Sequence, residues 1–201
     1  MAAMERKDRM DCLEIEAWAA GNPQDAKALA RRFEELDNTL SLEEIARAYI
    51  GHAYTDGYCD MGIDRMQLDQ MMANGDMENA LRLAWNTSCD NPFNLDALDV
   101  LLRIVPEEHE IWKVAAWRFS RLLKAIASTG DGTSVNTAFI VTSTRDEFML
   151  MKSMLELQDV TDRHLIVVGM RSFDKYAVAP SPGYPHGEIF FEITPFNTEA
   201  P

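Results

Sequence analysis

The chain has 201 residues, of which 47% are hydrophobic and 26% are charged. This composition is typical of a globular protein and excludes a disordered chain. The formal net charge is −14, from 33 acidic and 19 basic residues. Because phosphate backbones are bound by lysine and arginine, nucleic acid is not an expected partner. A basic protein or peptide would instead be attracted. No apolar run is long enough to span a bilayer, so no membrane span is predicted.

The beginning of the chain lacks the uninterrupted apolar stretch that secretory signals contain. We therefore expect a cytoplasmic protein by default, and a periplasmic or exported one if a signal has been removed.

The three cysteines, Cys12, Cys59 and Cys89, are far apart in the sequence and odd in number, so neither a disulfide framework nor a zinc site is predicted. Each is interpreted as a buried free thiol. No cofactor is predicted.

Apolar residues recur at helical spacing up to about residue 128. The predicted helices cover approximately residues 4–19, 24–37, 41–55, 63–73, 76–89, 94–105 and 111–126. Ser41 and Glu44 form a capping box, while Pro23 and Gly75 are the residue types of a helix start and a helix end. Short connections between these helices are typical of stacked antiparallel hairpins.

Residues 75–94, GDMENALRLAWNTSCDNPFN, are similar to the second half of a tetratricopeptide repeat. A register of about 34 residues would give the units 27–60, 61–94 and 95–128. Stacked repeats of this kind present an extended concave face to a partner. By similarity to tetratricopeptide units, the partner-binding positions on that face are Arg65, Asp69, Asp96, Asp99 and Arg103.

After residue 128 the composition favours strands. Residues 130–134, GDGTS, form a predicted turn in which Gly130 ends the preceding helix in a left-handed conformation. A phosphate-binding loop is not predicted there, because it would need a lysine and a following helix. Strands are predicted at residues 138–143, 164–170, 175–180 and 187–194, with a helix at 144–157.

The expected fold class is therefore α+β and mainly α. Antiparallel, tetratricopeptide-like helical hairpins occupy residues 1–128, and a small β-α-β-β-β unit over residues 129–201 packs on them.

Three segments, YIGHAYTDGY, GDMENALRLA and GDGTS-x-x-TA, resemble the bacterial family of domain of unknown function 4919. The resemblance covers approximately residues 41–196. It implies a helical half joined to a short βαβ-type terminal unit, and it implies no activity.

The densest polar and aromatic cluster follows the third predicted helix. Its members are Tyr49, His52, Tyr54, Asp56, Tyr58 and Asp60. A histidine near carboxylates can perform acid–base chemistry, so a hydrolase or transferase with a site near His52 and Asp56 is one hypothesis. The structural interpretation is favoured, with a turn at Asp56 and tyrosine hydroxyls bonded to backbone. The aspartates lack the spacing of a calcium loop, so no metal site is predicted.

The sequence leaves three hypotheses about the function of this chain. The preferred hypothesis is a non-enzymatic helical-repeat module that binds a protein or peptide, with a basic partner favoured by charge. The alternatives are the hydrolase or transferase and an inhibitor of a basic toxin. An enzyme is not favoured, because no nucleophile motif accompanies any serine or cysteine. The sequence leaves the partner and the oligomeric state open.

Overall fold

The computed structural model describes residues 10–55 and 62–196. In these ranges the helices are α1 (Cys12–Gly21), α2 (Pro23–Glu34), α3 (Leu42–His52), α4 (Arg65–Ala73), α5 (Met77–Asp90), α6 (Leu95–Ile104), α7 (Glu110–Ala127) and α8 (Thr144–Ser153). The strands are β1 (Phe139–Ile140), β2 (Val160–Val168), β3 (Arg171–Val178) and β4 (Glu188–Glu192). The predicted class, α+β and mainly α, is confirmed.

The helices begin and end where the sequence places capping signals. Ser41 and Glu44 form a complete capping box at α3, and Pro23 is the first residue of α2. Gly75 has a φ of +73°, and the Asp76 side chain that follows it accepts a hydrogen bond in the first turn of α5. These contacts supply partners for backbone amides that a helix start leaves free.

The turn after α7 differs from the prediction. Gly130 does not adopt the left-handed conformation, which belongs instead to Gly132 with a φ of +70°. Gly130 is needed for a close approach, since a Cβ at this position would lie 2.3 Å from the Thr137 carbonyl oxygen. The Asp131 carboxylate accepts a hydrogen bond from a backbone amide of the turn at 2.9 Å.

The four strands form one mixed sheet in the order β1-β4-β3-β2. β1 is parallel to β4, and the other neighbouring strands are antiparallel. β2 and β3 form a hairpin whose last pair is Val168 with Arg171, leaving Gly169 and Met170 in the turn. The register of this hairpin shifts between Thr161 and His164. β1 and β2 are therefore the edge strands of the sheet.

Two hydrophobic clusters fill the interior. The first joins the amino-terminal helices to α7 and the sheet, with Phe33, Leu122 and Phe191 among its buried residues. The second lies among α4 to α7 around Leu98, and Phe119 packs against both clusters. The first cluster thus contains residues from both sides of the boundary predicted at residue 128. That boundary stays a prediction.

An ion-pair chain brings the beginning of α1 to the last strand. Arg171 on β3 lies 3.3 Å from the Asp11 carboxylate and donates to the buried Glu192 carboxylate at 2.7 Å. Asp11 is the N-cap of α1, and its side chain accepts from the helix amides. One arginine therefore connects the first described helix to β4.

Within the described ranges, no helix combines the length and hydrophobicity needed to cross a membrane. The same ranges hold no group of three or more histidine, cysteine, aspartate or glutamate side chains arranged to bind a metal ion.

Candidate functional site

Four of the five predicted partner-binding residues lie together at α4 and α6. Arg65 donates to the Asp96 carboxylate, with an Nε–Oδ2 distance of 3.2 Å. Arg103 Nη2 lies 2.7 Å from Asp99 Oδ2, which is also 4.0 Å from Arg65 Nη2. Asp69 is exposed and has no ion pair within residues 62–196. Charged groups on this face are thus largely paired with each other, and its binding of a partner stays a prediction.

Arg145 was not predicted from the sequence and joins this network from α8. Arg145, in the first turn of α8, places its Nε 3.6 Å from Asp96 Oδ2. Asp96 is only 4% exposed and lies in the first turn of α6, where the helix dipole favours a carboxylate. Asp96 therefore links α4, α6 and α8 through two arginines.

A second set of polar contacts lies beside Asp96. Tyr49 Oη donates to Asp146 Oδ2 at 2.7 Å and accepts from the Thr142 amide at 2.7 Å. The Ser143 hydroxyl caps α8 and accepts from the Asp146 amide at 3.3 Å. Tyr49, Thr142, Ser143 and Asp146 are all buried. Together with Asp96 and Arg145, these residues are called the seam.

The seam holds an unusual carboxyl group in a small space. Burial raises the pKa of Asp146 to about 6, with a smaller contribution from the charge of Asp96, while hydrogen bonds from Tyr49, Ser143 and Thr142 act in the opposite direction. The adjoining cavity has a volume of about 20 Å³, which is room for roughly one water molecule. The seam has no space for an organic substrate.

A much larger space, called the groove, lies between α1, α2, α5 and the end of α3. Its volume is about 1090 Å³, at the upper end of ligand-binding pockets in proteins. The lining includes Ala19, Ala26 and Ala30 from α1 and α2, together with Trp85 of α5 and Pro92 just after it. Because alanine side chains fill so little volume, the helices leave depth between them.

The predicted polar and aromatic cluster is divided between these two places. Tyr49 lies in the seam, whereas His52 and Tyr54 line the groove. Outside the described residues lie Asp56, Tyr58 and Asp60. The carboxylate that the enzyme hypothesis pairs with His52 is thus outside the described residues, and that hypothesis stays a prediction.

His52 and Tyr54 form the end of the groove that follows α3. The His52 ring packs against Phe93, with a centroid distance of 5.5 Å, and burial lowers the pKa of its imidazole. Tyr54 Oη is buried and has no hydrogen-bond partner among the described residues. Tyr54 thus brings to the groove wall a hydroxyl that no described residue binds.

Arg118 of α7 lies at the bottom of the groove and is 5% exposed. Its Nη2 donates to the Glu34 carbonyl at 2.7 Å, and its Nη1 donates to the Ser88 carbonyl at 3.4 Å. These carbonyls lie near the ends of α2 and α5, where helix dipoles favour a cation. Burial lowers the pKa of Arg118, and its Nε has no acceptor in the part of the chain that the structure describes. Arg118 ties the two walls together.

A sequence signal for Arg118 exists. It falls within the apolar stripe of α7, three residues after Ala115 and four before Leu122, both of which are fully buried. A charged residue at such a position is buried only when hydrogen-bonded or paired. An arginine inside an apolar stripe therefore indicates a buried polar contact.

One prediction about the cysteines is wrong. Cys89 is exposed and lines the groove, because the buried side of α5 is formed by Ala80, Ala84 and Ser88. Cys12 is buried, as predicted, and both are free thiols. Cys59 lies outside the described residues. The groove thus contains an accessible thiol.

The protein is thus of the α+β class and mainly helical. Its helices pack against a small sheet and leave an open groove between them. The family model described as Domain of unknown function (DUF4919) matches residues 25–199. The chain belongs to this family, and the resemblance drawn from the sequence is confirmed. Comparisons with curated proteins and with solved structures gave no match.

Proposed function

We propose that the protein binds a segment of another protein in the groove and acts as a binding module. The main support for this proposal is the groove, which has a volume of about 1090 Å³ and a wall that combines alanines with buried polar atoms. A polypeptide segment has the matching chemistry, since it supplies apolar side chains and backbone carbonyls together. The seam, with about 20 Å³, offers no comparable space.

Apolar contact would supply most of the binding free energy. Interface energy is concentrated in a few anchor side chains that fill pockets and exclude water. The alanines and the half-buried Trp85 that line the groove offer such a pocket. Burial stabilises a complex by roughly 25 cal/mol per Å² of apolar surface. We therefore expect an aliphatic or aromatic anchor residue in the bound segment.

Polar contact would fix the orientation of the segment. Tyr54 Oη and Arg118 Nε lie beneath the groove wall without acceptors among the described residues. Leaving a buried donor unsatisfied costs about 1–3 kcal/mol. Carbonyl oxygens of a bound segment would reach these donors after small side-chain movements and remove that cost.

Charge would act mainly on the association rate. The groove is lined by three acidic residues, Glu34, Glu35 and Asp90, and by the exposed bases Lys27 and Arg31. The Arg31 guanidinium is already paired with Glu35 at 2.8 Å. With a net charge of −14 on the whole chain, a basic or mixed-charge segment is preferred over an acidic one. A basic toxin would be one such partner.

The test uses random peptides displayed on phage and enriched on the protein. Dissociation constants of the enriched peptides are measured by calorimetry for the natural chain and for Ala20→Trp, which fills the exposed end of the groove. The matched control is Ala73→Trp, at an exposed alanine on α4 away from the groove. Filling the groove is expected to weaken binding roughly tenfold or more. Equal affinity for both variants would overturn the proposal.

A second measurement reports on the groove directly. In a Cys59→Ser background, a thiol reagent should modify Cys89 in the folded protein, because Cys89 is exposed and Cys12 is buried. A peptide bound in the groove should slow that modification. Unchanged reactivity of Cys89 at saturating peptide would place the peptide elsewhere.

The hydrolase or transferase hypothesis gains no specific support. Burial lowers the pKa of His52, and Asp56, its partner in that hypothesis, is outside the described residues. The face around Arg65 and Asp69 stays a separate prediction for the binding site.

A further inference from the structure

Among the described residues, one edge of the sheet is unpaired and apolar. β2 pairs with β3, and no other described strand pairs with it. Leu165, Val167, Val168 and Met170 on or beside this strand are 60%, 47%, 52% and 68% exposed. No charged residue occurs from position 165 to position 170. Soluble proteins usually protect such edges with charges, prolines or a covering element. An edge without this protection is suited to pairing with a strand of another molecule.

The backbone of β2 has hydrogen-bonding groups that point to this open edge. Opposite Val167 lies Ser172, whose N–H donates to Thr194 Oγ1 at 3.1 Å and whose carbonyl accepts from the Ile193 amide at 2.8 Å. Both contacts lie on the β4 side. In an antiparallel ladder the residue opposite then directs its own N–H and carbonyl outward. Val167, and Leu165 two positions earlier, therefore present donors and acceptors to the edge.

The part of β2 that a new strand can use is short and well defined. At its beginning the register shifts between Thr161 and His164, where Asp162 has a φ of +50°. Such a bulge ends regular pairing on the edge. At its other end the hairpin turn contains Gly169 and Met170. Residues 164–168 remain as a regular pairing segment.

We infer that two copies of this chain pair through β2 in antiparallel orientation, with the two-fold axis passing between the two Ile166 residues. In this register Leu165 of one copy lies opposite Val167 of the other. Each of these pairs exchanges both backbone hydrogen bonds, because both residues direct their N–H and carbonyl groups outward. The two four-stranded sheets become one continuous sheet.

The segment is complementary to itself and not to a charged partner. About the two-fold axis, apolar Leu165 meets apolar Val167, Ile166 meets its own equivalent, and His164 meets Val168. Arg163 would lie opposite Gly169, so no like charges face each other. A basic partner of the kind proposed for the groove would find no carboxylate between positions 163 and 171. A second copy is therefore the occupant that this edge fits.

The first test is disulfide trapping. Ile166→Cys is introduced in a Cys59→Ser, Cys89→Ser background, leaving the buried Cys12. The Ile166 residues would form a non-hydrogen-bonded pair with Cα atoms about 4.5 Å apart, within the range that a disulfide spans. Mild oxidation should yield a covalent dimer on a non-reducing gel. The matched control is Val168→Cys, whose opposite residue is His164 and which should yield little dimer.

The yields of covalent dimer at positions 166 and 168 decide whether the proposed register is correct. Efficient trapping at position 166 and little at position 168 supports the register. Equal yields at the two positions would indicate random collisions and overturn it. The absence of a covalent dimer from Ile166→Cys, in a protein whose circular dichroism spectrum is unchanged, would also overturn it.

The second test is sedimentation equilibrium of the natural chain at low and high salt. Each copy carries a net charge of −14, so repulsion opposes pairing and screening by salt should strengthen the dimer. Val167→Lys should abolish the dimer, whereas Met170→Lys in the turn should leave it intact. A monomer under all conditions, or a dimer that Val167→Lys does not disturb, would overturn the inference. A groove partner attracted by charge shows the opposite salt dependence.

Discussion

The seam and the groove both place polar side chains between helices, yet they use them differently. In the seam, Asp146 accepts from the Tyr49 hydroxyl, the Thr142 amide donates to that same hydroxyl, and about 20 Å³ of space remains. In the groove, Tyr54 Oη and Arg118 Nε lack acceptors among the described residues, beside a volume of about 1090 Å³. Polar residues that are bonded to each other maintain a structure. Polar residues left unbonded beside open space are suited to a partner.

The largest expected difference concerns two tyrosines that are close in sequence. Tyr49 is fully buried in the first core, while Tyr54 is half-buried in the groove wall. Replacing a buried aromatic residue by alanine costs about 3–5 kcal/mol. Tyr49→Ala should therefore lower the free energy of unfolding by that amount in urea titrations, and Tyr54→Ala should lower it much less. Similar losses for the two variants would contradict the division between seam and groove.

The next effect is a pH dependence of stability that arises in the seam. Because burial raises the pKa of Asp146 from 3.8 to about 6, the folded chain holds this proton where the unfolded chain releases it. Its contribution is complete below pH 4 and is lost as pH rises to about 6. The loss should be on the order of 3 kcal/mol.

Asp146→Asn isolates this contribution, because the amide does not titrate. Burial also raises the pKa of Glu147, which acts in the same direction, so the natural chain and the variant must be compared at each pH. Chemical unfolding between pH 4 and pH 7 should show a smaller fall in stability for Asp146→Asn. Parallel curves for the two proteins would contradict the assignment.

A smaller difference is expected when only the hydroxyls are removed. Tyr49→Phe deprives Asp146 of a donor and leaves the Thr142 amide without its acceptor, which should cost about 1–3 kcal/mol. Tyr54→Phe removes a buried hydroxyl that has no partner among the described residues, so stability should be unchanged or slightly higher. Thermal unfolding of both variants measures the contrast. A clear loss of stability in Tyr54→Phe would show that its hydroxyl is bonded in solution.

The smallest effects on stability separate the groove from the face first predicted to bind a partner. Asp69 and Glu34 are both exposed acids, and reversing either to lysine should change stability by no more than about 0.5 kcal/mol. With a basic peptide selected as described above, Glu34→Lys should slow association, and Asp69→Lys should not. Surface plasmon resonance at two salt concentrations provides the comparison. The reverse result would place the peptide on the face of Arg65, Asp69, Asp96, Asp99 and Arg103.

Much of the fold could be predicted because its signals are local. The apolar spacing predicted the seven helices that the structure describes before residue 128, and caps such as Ser41 with Glu44 placed their ends. The order strand, helix and three strands in the last third is also confirmed. Boundaries were less accurate where tertiary pairing decides them, as in β1, which has two residues instead of six.

The sites were harder to predict because their contacts join residues that are distant in sequence. Nothing local indicates that Tyr49 donates to Asp146 or that Arg145 approaches Asp96. The groove depends on small residues, and an alanine on a helix predicts helix stability more readily than empty space. His52 and Asp96 could be chosen as candidates from the sequence because of their side-chain chemistry. The residues that surround them in the structure could not be predicted.

The shared core of the first helices and the sheet has a consequence for synthesis of the chain. Phe33 on α2 stacks on Phe93 and packs against Trp117 of α7, and its cluster extends to Phe191 on β4. The amino-terminal helices therefore depend on residues far along the chain to cover their apolar faces. The cluster around Leu98 needs only α4 to α7 and can close while later residues are still in the ribosome. Domains usually fold as units from the amino terminus during synthesis. Here the beginning of the chain would not fold before the middle of the chain.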